Sequence, residues 1–257
     1  MERSAAIVLR VFDWSETSSI VHLFTREHGK RHAVAKGARR RRSPFEGALD
    51  LLAQCDVVFI PKSGDALDVL TEAKLRRRFR VASRDLLRLY CGYYVIELVE
   101  RLTEIGDVHR ELFDLTAATV GDLDSQRGDV RSVLLRFELG LLRQTGLLPG
   151  LQRCVHCGQE WNRSSRAGER EGWYVFSALG GGFYCPACDR LARHPVRVTS
   201  DVHRAMVRFS DPDWKAIAVD AFPPHCARPV RRIMKELFRV HLERPPRMER
   251  FLGPLEQ

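Results

Sequence analysis

The sequence predicts an α+β protein: an N-terminal five-stranded β-barrel of the oligonucleotide-binding (OB) type, followed by a helical bundle domain that carries a four-cysteine zinc lobe. Three observations predict it. Residues 1–80 hold five short β-type apolar runs punctuated by turn residues, with a longer link between the third and fourth. After residue 83 the apolar residues recur at helical spacing. Between the helices stand Cys154-Val-His-Cys157-Gly158 and Cys185-Pro-Ala-Cys188, two Cys-x-x-Cys pairs separated by 27 residues. The expected layout is a nucleic-acid-binding barrel over 1–80, a helical domain over 81–150, a zinc lobe over 151–190 and the rest of the helical domain over 191–257.

The barrel strands read in order. Ala5 to Phe12 is apolar and stops at Trp14-Ser-Glu-Thr17. Ile20 to Thr25 follows and closes at His28-Gly29. Arg31 to Lys36 alternates and ends at Gly37. Ala53 to Ile60 stops at Pro61, and Leu67 to Leu75 follows the turn Ser63-Gly-Asp65. The strand count alone is also compatible with an SH3-like barrel or a small sandwich.

Charge singles out the link after the third strand. The chain of 257 residues has a net charge of +9. Basic ends flank an acidic middle, which favours a polyanion partner. Lys30, Arg31, Lys36, Arg39, Arg40, Arg41 and Arg42 stand in a stretch with no acid. Guanidinium groups on a glycine-broken loop can follow a phosphate backbone and release its counterions. The plainer reading is a solvated loop; on an OB-type barrel the cations would join stacking aromatics, drawn from Phe12, Trp14, Phe24 and Phe45. Leu75-Arg-Arg-Arg78-Phe-Arg80 either extends that track or solvates the linker.

Ser83 is positioned to cap a first helix through Leu86, Leu87, Tyr90, Tyr94, Val95, Leu98 and Leu102, ended by Gly106. A second runs from Asp107 to near Gly121. A third, from Asp129 to Gln144, is apolar over so wide an arc that it reads as the central helix of a bundle, with Arg136 and Glu138 on its rim. Ser200 to Phe209 is helical, and Ala227 to Glu243 is amphipathic. Its apolar face holds Val230, Ile233, Met234, Leu237, Phe238 and His241; Arg228, Arg232, Lys235 and Arg239 line the other.

Cys154, Cys157, Cys185 and Cys188 can place four thiolates around one zinc ion. The rival reading is two dithiols or disulfides. With every ligand a protein sulfur, no coordination position is left for a substrate, so the site argues for a structural staple and against a zinc-dependent nuclease or hydrolase. Trp161, Trp173, Tyr174 and Phe176 are expected to pack the lobe. Cys55, Cys91 and Cys226 read as buried core thiols. Phosphate-binding loops, His-Glu-x-x-His and Gly-x-Ser-x-Gly are absent from the sequence. No apolar run reaches membrane-spanning length, and reduced cysteines with no secretory opening suggest the cytoplasm.

Several blocks together resemble the RecO recombination mediators. They are Trp14-Ser-Glu-Thr17, Leu23-Phe24-Thr25-Arg-Glu27-His-Gly29-Lys30, and Val34-Ala-Lys36-Gly-Ala-Arg39-Arg40. Arg136-Phe-Glu-Leu139-Gly-Leu-Leu142-Arg-Gln-Thr-Gly146-Leu-Leu-Pro149 with Cys154-x-x-Cys157-Gly158, and Arg244-Pro-Pro-Arg247-Met-Glu-Arg250-Phe-Leu252, complete the set. Met248-Glu249 stands where the family usually has Lys-Ser. The resemblance implies an OB domain, a helical domain and a zinc lobe, and activity without enzyme chemistry. It implies binding of single-stranded and duplex DNA, annealing of complementary strands, and action with RecR to help RecA displace single-stranded-DNA-binding protein (SSB), whose acidic tail is contacted. It also places the protein in the cytoplasm, associated with the nucleoid. Some members lack the zinc ligands, which makes the metal a support for the fold. A zinc-ribbon RNA-binding or transcription-associated protein is the alternative.

Overall fold

The computed structural model describes residues 1–256 apart from 41, 42, 44, 46, 65, 82–84 and 161–172. Arg41, Arg42, Ser83 and Trp161 therefore lie outside the described residues. The chain divides into two compact units, Met1–Arg127 and Gly128–Gln257.

In the first unit the five expected strands form: β1 (Glu2–Asp13), β2 (Ser19–Thr25), β3 (Gly29–Ala35), β4 (Gln54–Ile60) and β5 (Asp68–Arg77). They close in the order β1-β2-β3-β5-β4, with β4 returning to pair antiparallel with β1. The one parallel join is β3 with β5, at Ala33, Val34 and Ala35. Closure leaves no free edge and excludes a sandwich. Val8, Val21, Leu23, Val57, Phe59 and Leu70 fill the interior, since alternate residues of each strand point inward.

Helices α1 (Leu86–Leu102) and α2 (Arg110–Asp124) complete this unit. The α1 cap is Asp85, whose carboxylate accepts the Arg88 N–H at 3.0 Å. Helix α2 does not stop at Gly121 but runs one turn further. That glycine serves a close approach: a Cβ there would meet the Arg77 guanidinium at 2.8 Å, and Arg77 donates to the Gly121 carbonyl at 3.1 Å. The helices cover the outer face of the barrel. Phe113 meets Phe24 with ring centroids 5.8 Å apart, and Arg26 grips Asp114 with two bonds of 2.8 and 3.0 Å.

The second unit opens with α3 (Val130–Gln144), capped by Asp129, whose carboxylate accepts the Arg131 N–H. An antiparallel sheet follows, built from β6 (Trp173–Ser177), β7 (Gly182–Tyr184) and β8 (Val196–Thr199) in the order β7-β6-β8. The strand β8 is not among the expected elements, although Val196-Arg-Val-Thr199 alternates buried and exposed. Helices α4 (Ser200–Phe209) and α5 (Pro224–His241) come next. Helix α5 starts three residues before Ala227 because Pro224 occupies its first position, where a missing N–H costs nothing.

Two rim assignments are corrected. Arg136 and Glu138 are buried, Glu138 fully so at 0 % exposure. Both fall inside the buried arc of α3, and Glu138 survives there because Arg231 of α5, itself 5 % exposed, donates to both its oxygens at 2.6 and 2.8 Å.

Candidate nucleic-acid interface and metal centre

The four cysteines converge: one sulfur from each of Cys154, Cys157, Cys185 and Cys188 lies within 4.8 Å of the others. Each pair sits in a tight turn. Gly158 N–H donates to the Cys154 carbonyl and Cys188 N–H to that of Cys185, both at 2.9 Å. Val155 N–H ties the first turn to β7 through Phe183. The sheet is thus packed on two faces. Val175 and Tyr184 join the cysteines on one, while Tyr174 and Phe183 meet His203 of α4 on the other.

The chemistry of the donor set fits a cation. Burial alone would raise the Cys154 thiol, but N–H groups of Cys157, Cys185 and His156 outweigh it and bring it down to about 6. Cys188 is pushed up to about 12, first by the neighbouring Cys185 sulfur and then by burial. Sulfurs this close oppose one another's ionisation, and a metal ion reverses that opposition. The cluster can hold a metal ion. Within the lobe, Phe176 is buried as expected, whereas Trp173 is 64 % exposed and does not pack it.

On the barrel, Lys36, Arg39 and Arg40 are exposed on the link after β3. The link is docked on the turn between β1 and β2. Arg39 N–H donates to the Thr17 carbonyl at 3.1 Å, and its guanidinium donates to the Ser15 carbonyl at 3.0 Å and lies 3.4 Å from Asp13. That turn presents Trp14, 63 % exposed, with Phe12 at 43 % just before it. The fold therefore brings exposed cations beside exposed aromatics. Phe45 is buried in the barrel interior and Phe24 on its outer face beneath α2, so neither is available for stacking.

Two residues of the basic set, Lys30 and Arg31, are engaged within the fold. Lys30 is 7 % exposed, and its ammonium donates to the carbonyls of Glu100 and Thr103 at 2.6 and 2.5 Å. It closes the C-terminal end of α1, where unsatisfied carbonyls collect negative charge. Arg31 donates to Asp68 at 2.8 Å and lies over the Phe59 ring at 5.4 Å. The later cluster makes exposed surface pairs of the kind Arg39 makes with Asp13: Arg76 with Asp56, Arg77 with Asp124 and Arg78 with Asp50.

A second basic surface emerges in the C-terminal unit. Arg228, Arg232, Lys235 and Arg239 of α5 line a groove with Arg197 of β8, where Glu256 pairs with Lys235 and Glu236 with Arg239, leaving the lining net positive. Arg197 points outward from a strand that the sequence reading lacks, so only the folded chain adds it. Among the described residues, no helix is long and apolar enough to cross a membrane.

Residues 1–79 match the family model for the N-terminal domain of recombination protein O, and residues 83–250 match the model for its C-terminal domain. The chain is 44 % identical over 235 residues to a DNA repair protein RecO from Rhodopirellula baltica, covering 89 % of this chain and 84 % of that protein. A protein of the same name from Anaeromyxobacter sp. strain K is 34 % identical over 253 residues, 97 % of this chain and 96 % of the relative. One from Alkaliphilus metalliredigens is 28 % identical over 94 % of both chains.

Proposed function

The chain belongs to the RecO family of DNA repair proteins, and from that premise we propose that it is a non-enzymatic recombination mediator. It binds single-stranded DNA, anneals complementary strands, and acts with RecR to load RecA onto DNA coated by SSB. The observation that carries this reading is the exposed Lys36-Arg39-Arg40 link docked against the turn that presents Trp14. Cations that neutralise phosphates beside rings that accept any base suit single strands without sequence preference. Arg41 and Arg42 extend the same run of charge. The acidic tail of SSB is assigned to the basic groove of α5, away from that link in the sequence.

The metal is assigned as one tightly held zinc on Cys154, Cys157, Cys185 and Cys188. When bound, it supplies a cross-link between two turns. With four sulfur ligands its coordination is complete, so the chain's own contribution to function is binding.

Strand annealing tests the proposal. The wild-type chain is expected to accelerate pairing of complementary oligonucleotides, naked and SSB-coated. Replacing Trp14, Arg39 and Arg40 together with alanine removes a stack worth about 1–3 kcal/mol and two phosphate contacts. The protein concentration needed for half-maximal acceleration should rise by at least about tenfold. An unchanged concentration dependence would reject this placement of the interface.

A further inference from the structure

Among the described residues, one other group of metal-type donors converges outside the cysteine cluster. It joins His22 of β2, His32 of β3 and Glu100 of α1, each offering one donor atom within 4.8 Å of the other two. The barrel builds the first half of it. His22 and His32 are direct cross-strand partners, and their rings stack with centroids 3.5 Å apart and planes 13° from parallel. The helix end supplies the rest. Lys30, by holding the Glu100 and Thr103 carbonyls, fixes the last turn of α1 over this face.

The internal bonding is incomplete. His22 Nδ1 lies 2.6 Å from Glu100 Oε1, but His32 Nε2 is 3.9 Å from the same oxygen, too far for a hydrogen bond. Both His32 Nε2 and Glu100 Oε2 are buried without a hydrogen-bond partner among the described residues. Each such atom costs about 1–3 kcal/mol. One shared ligand would satisfy both.

We infer that His22, His32 and Glu100 form a second, exchangeable site for a divalent transition metal of the zinc type. Two imidazoles and a carboxylate are a donor set that zinc accepts while keeping a position for water. Magnesium and calcium, which demand mostly oxygen ligands, are poorly served by it. The surroundings set its strength. Arg10 is the cross-strand neighbour of His22, and Lys30 lies two residues from His32 on the same face of β3. These fixed cations repel a dication, so the site binds more weakly than the four thiolates. Binding also requires the stacked rings to tilt apart, because a metal lies in the plane of each imidazole that holds it. The imidazoles keep 16 and 22 % exposure, which gives the ion a way in. Once bound, it would pin α1 to the β2–β3 hairpin.

Equilibrium dialysis of the full chain against zinc tests this. The wild type is expected to take a second, weaker zinc beyond the tightly held one. His32→Asn and Glu100→Gln should each weaken only the second, by at least the roughly 10–100-fold that loss of an outer-shell partner costs. His28→Asn, a histidine outside the cluster, should leave both unchanged. Cobalt added to zinc-loaded protein provides a readout independent of the variants. Ligand-field absorption without thiolate charge-transfer bands is expected. A single zinc per chain at saturation would overturn the inference, as would a second zinc that survives both His32→Asn and Glu100→Gln.

Discussion

Cys185→Ser is expected to release the tightly held metal and melt the lobe between α3 and α4, the largest effect anticipated for any single substitution in this chain. The buried cluster on the knuckle side consists of Cys154, Val175, Tyr184, Cys185 and Cys188, with Val155 and Ala192 partly buried against it. Three of its five buried members are metal-ligand candidates, and two ordinary side chains cannot offset the entropy of ordering so small a lobe. In zinc-finger peptides the metal contributes about 10–16 kcal/mol, all of it folding free energy. Serine offers a hard hydroxyl in place of a thiolate and leaves three sulfurs crowded together. Metal analysis should show loss of the tight zinc, and limited proteolysis should cut between residues 150 and 199 while the first unit stays resistant. The β6–β7–β8 sheet would keep only its face toward α4, where Tyr174 stacks on His203 at 4.4 Å. Full metal retention would count against four-sulfur ligation.

The second large effect concerns the ion pair inside the C-terminal unit. Glu138 and Arg231 have side chains only 1 and 6 % exposed. Replacing Arg231 with methionine removes the two bonds that it donates to a buried carboxylate; replacing Glu138 with leucine removes the same two acceptors from a buried guanidinium. Each is expected to destabilise the chain by about 3–5 kcal/mol in equilibrium urea unfolding. The double variant Glu138→Leu with Arg231→Met removes both charges, and should recover most of that loss because apolar groups of similar volume fill the space without a desolvation penalty. Single variants costing under about 1 kcal/mol, or a double variant whose cost is the sum of the two, would contradict a mutually dependent pair.

How much of this was legible in the sequence follows from the range over which each signal acts. The strands of the barrel announce themselves because inward residues alternate and Gly29, Gly37 and Pro61 mark their ends. The metal centre is legible for the same reason: two local spacings carry nearly all of its geometry. The run from Lys30 to Arg42 is a single basic stretch in one dimension. The register of β3 splits it, turning Lys30 toward the carbonyls ending α1 while Arg39 and Arg40 emerge on the link. No charge count contains that register. Glu138 reads as rim on α3 because its partner Arg231 stands 93 positions away. His22, His32 and Glu100 lie outside any motif, since a hairpin register joins the first two and helix docking the third. The sequence offers Ser83, which lies outside the described residues, as the cap of α1; Asp85 makes it, three residues before the N–H it accepts.

The central claim is that the exposed link after β3 neutralises the phosphates of a single strand. The salt dependence of binding to an unstructured oligonucleotide tests it most directly. Each phosphate neutralised contributes a slope of about −0.7 in log affinity against log salt. Replacing Arg39 and Arg40 with alanine should flatten the slope by about 1.4, while Lys30→Met, which removes an equal kind of charge from a buried position, should leave it unchanged. A slope that the Arg39 and Arg40 replacements do not alter, or that Lys30→Met flattens to the same extent, would contradict the claim.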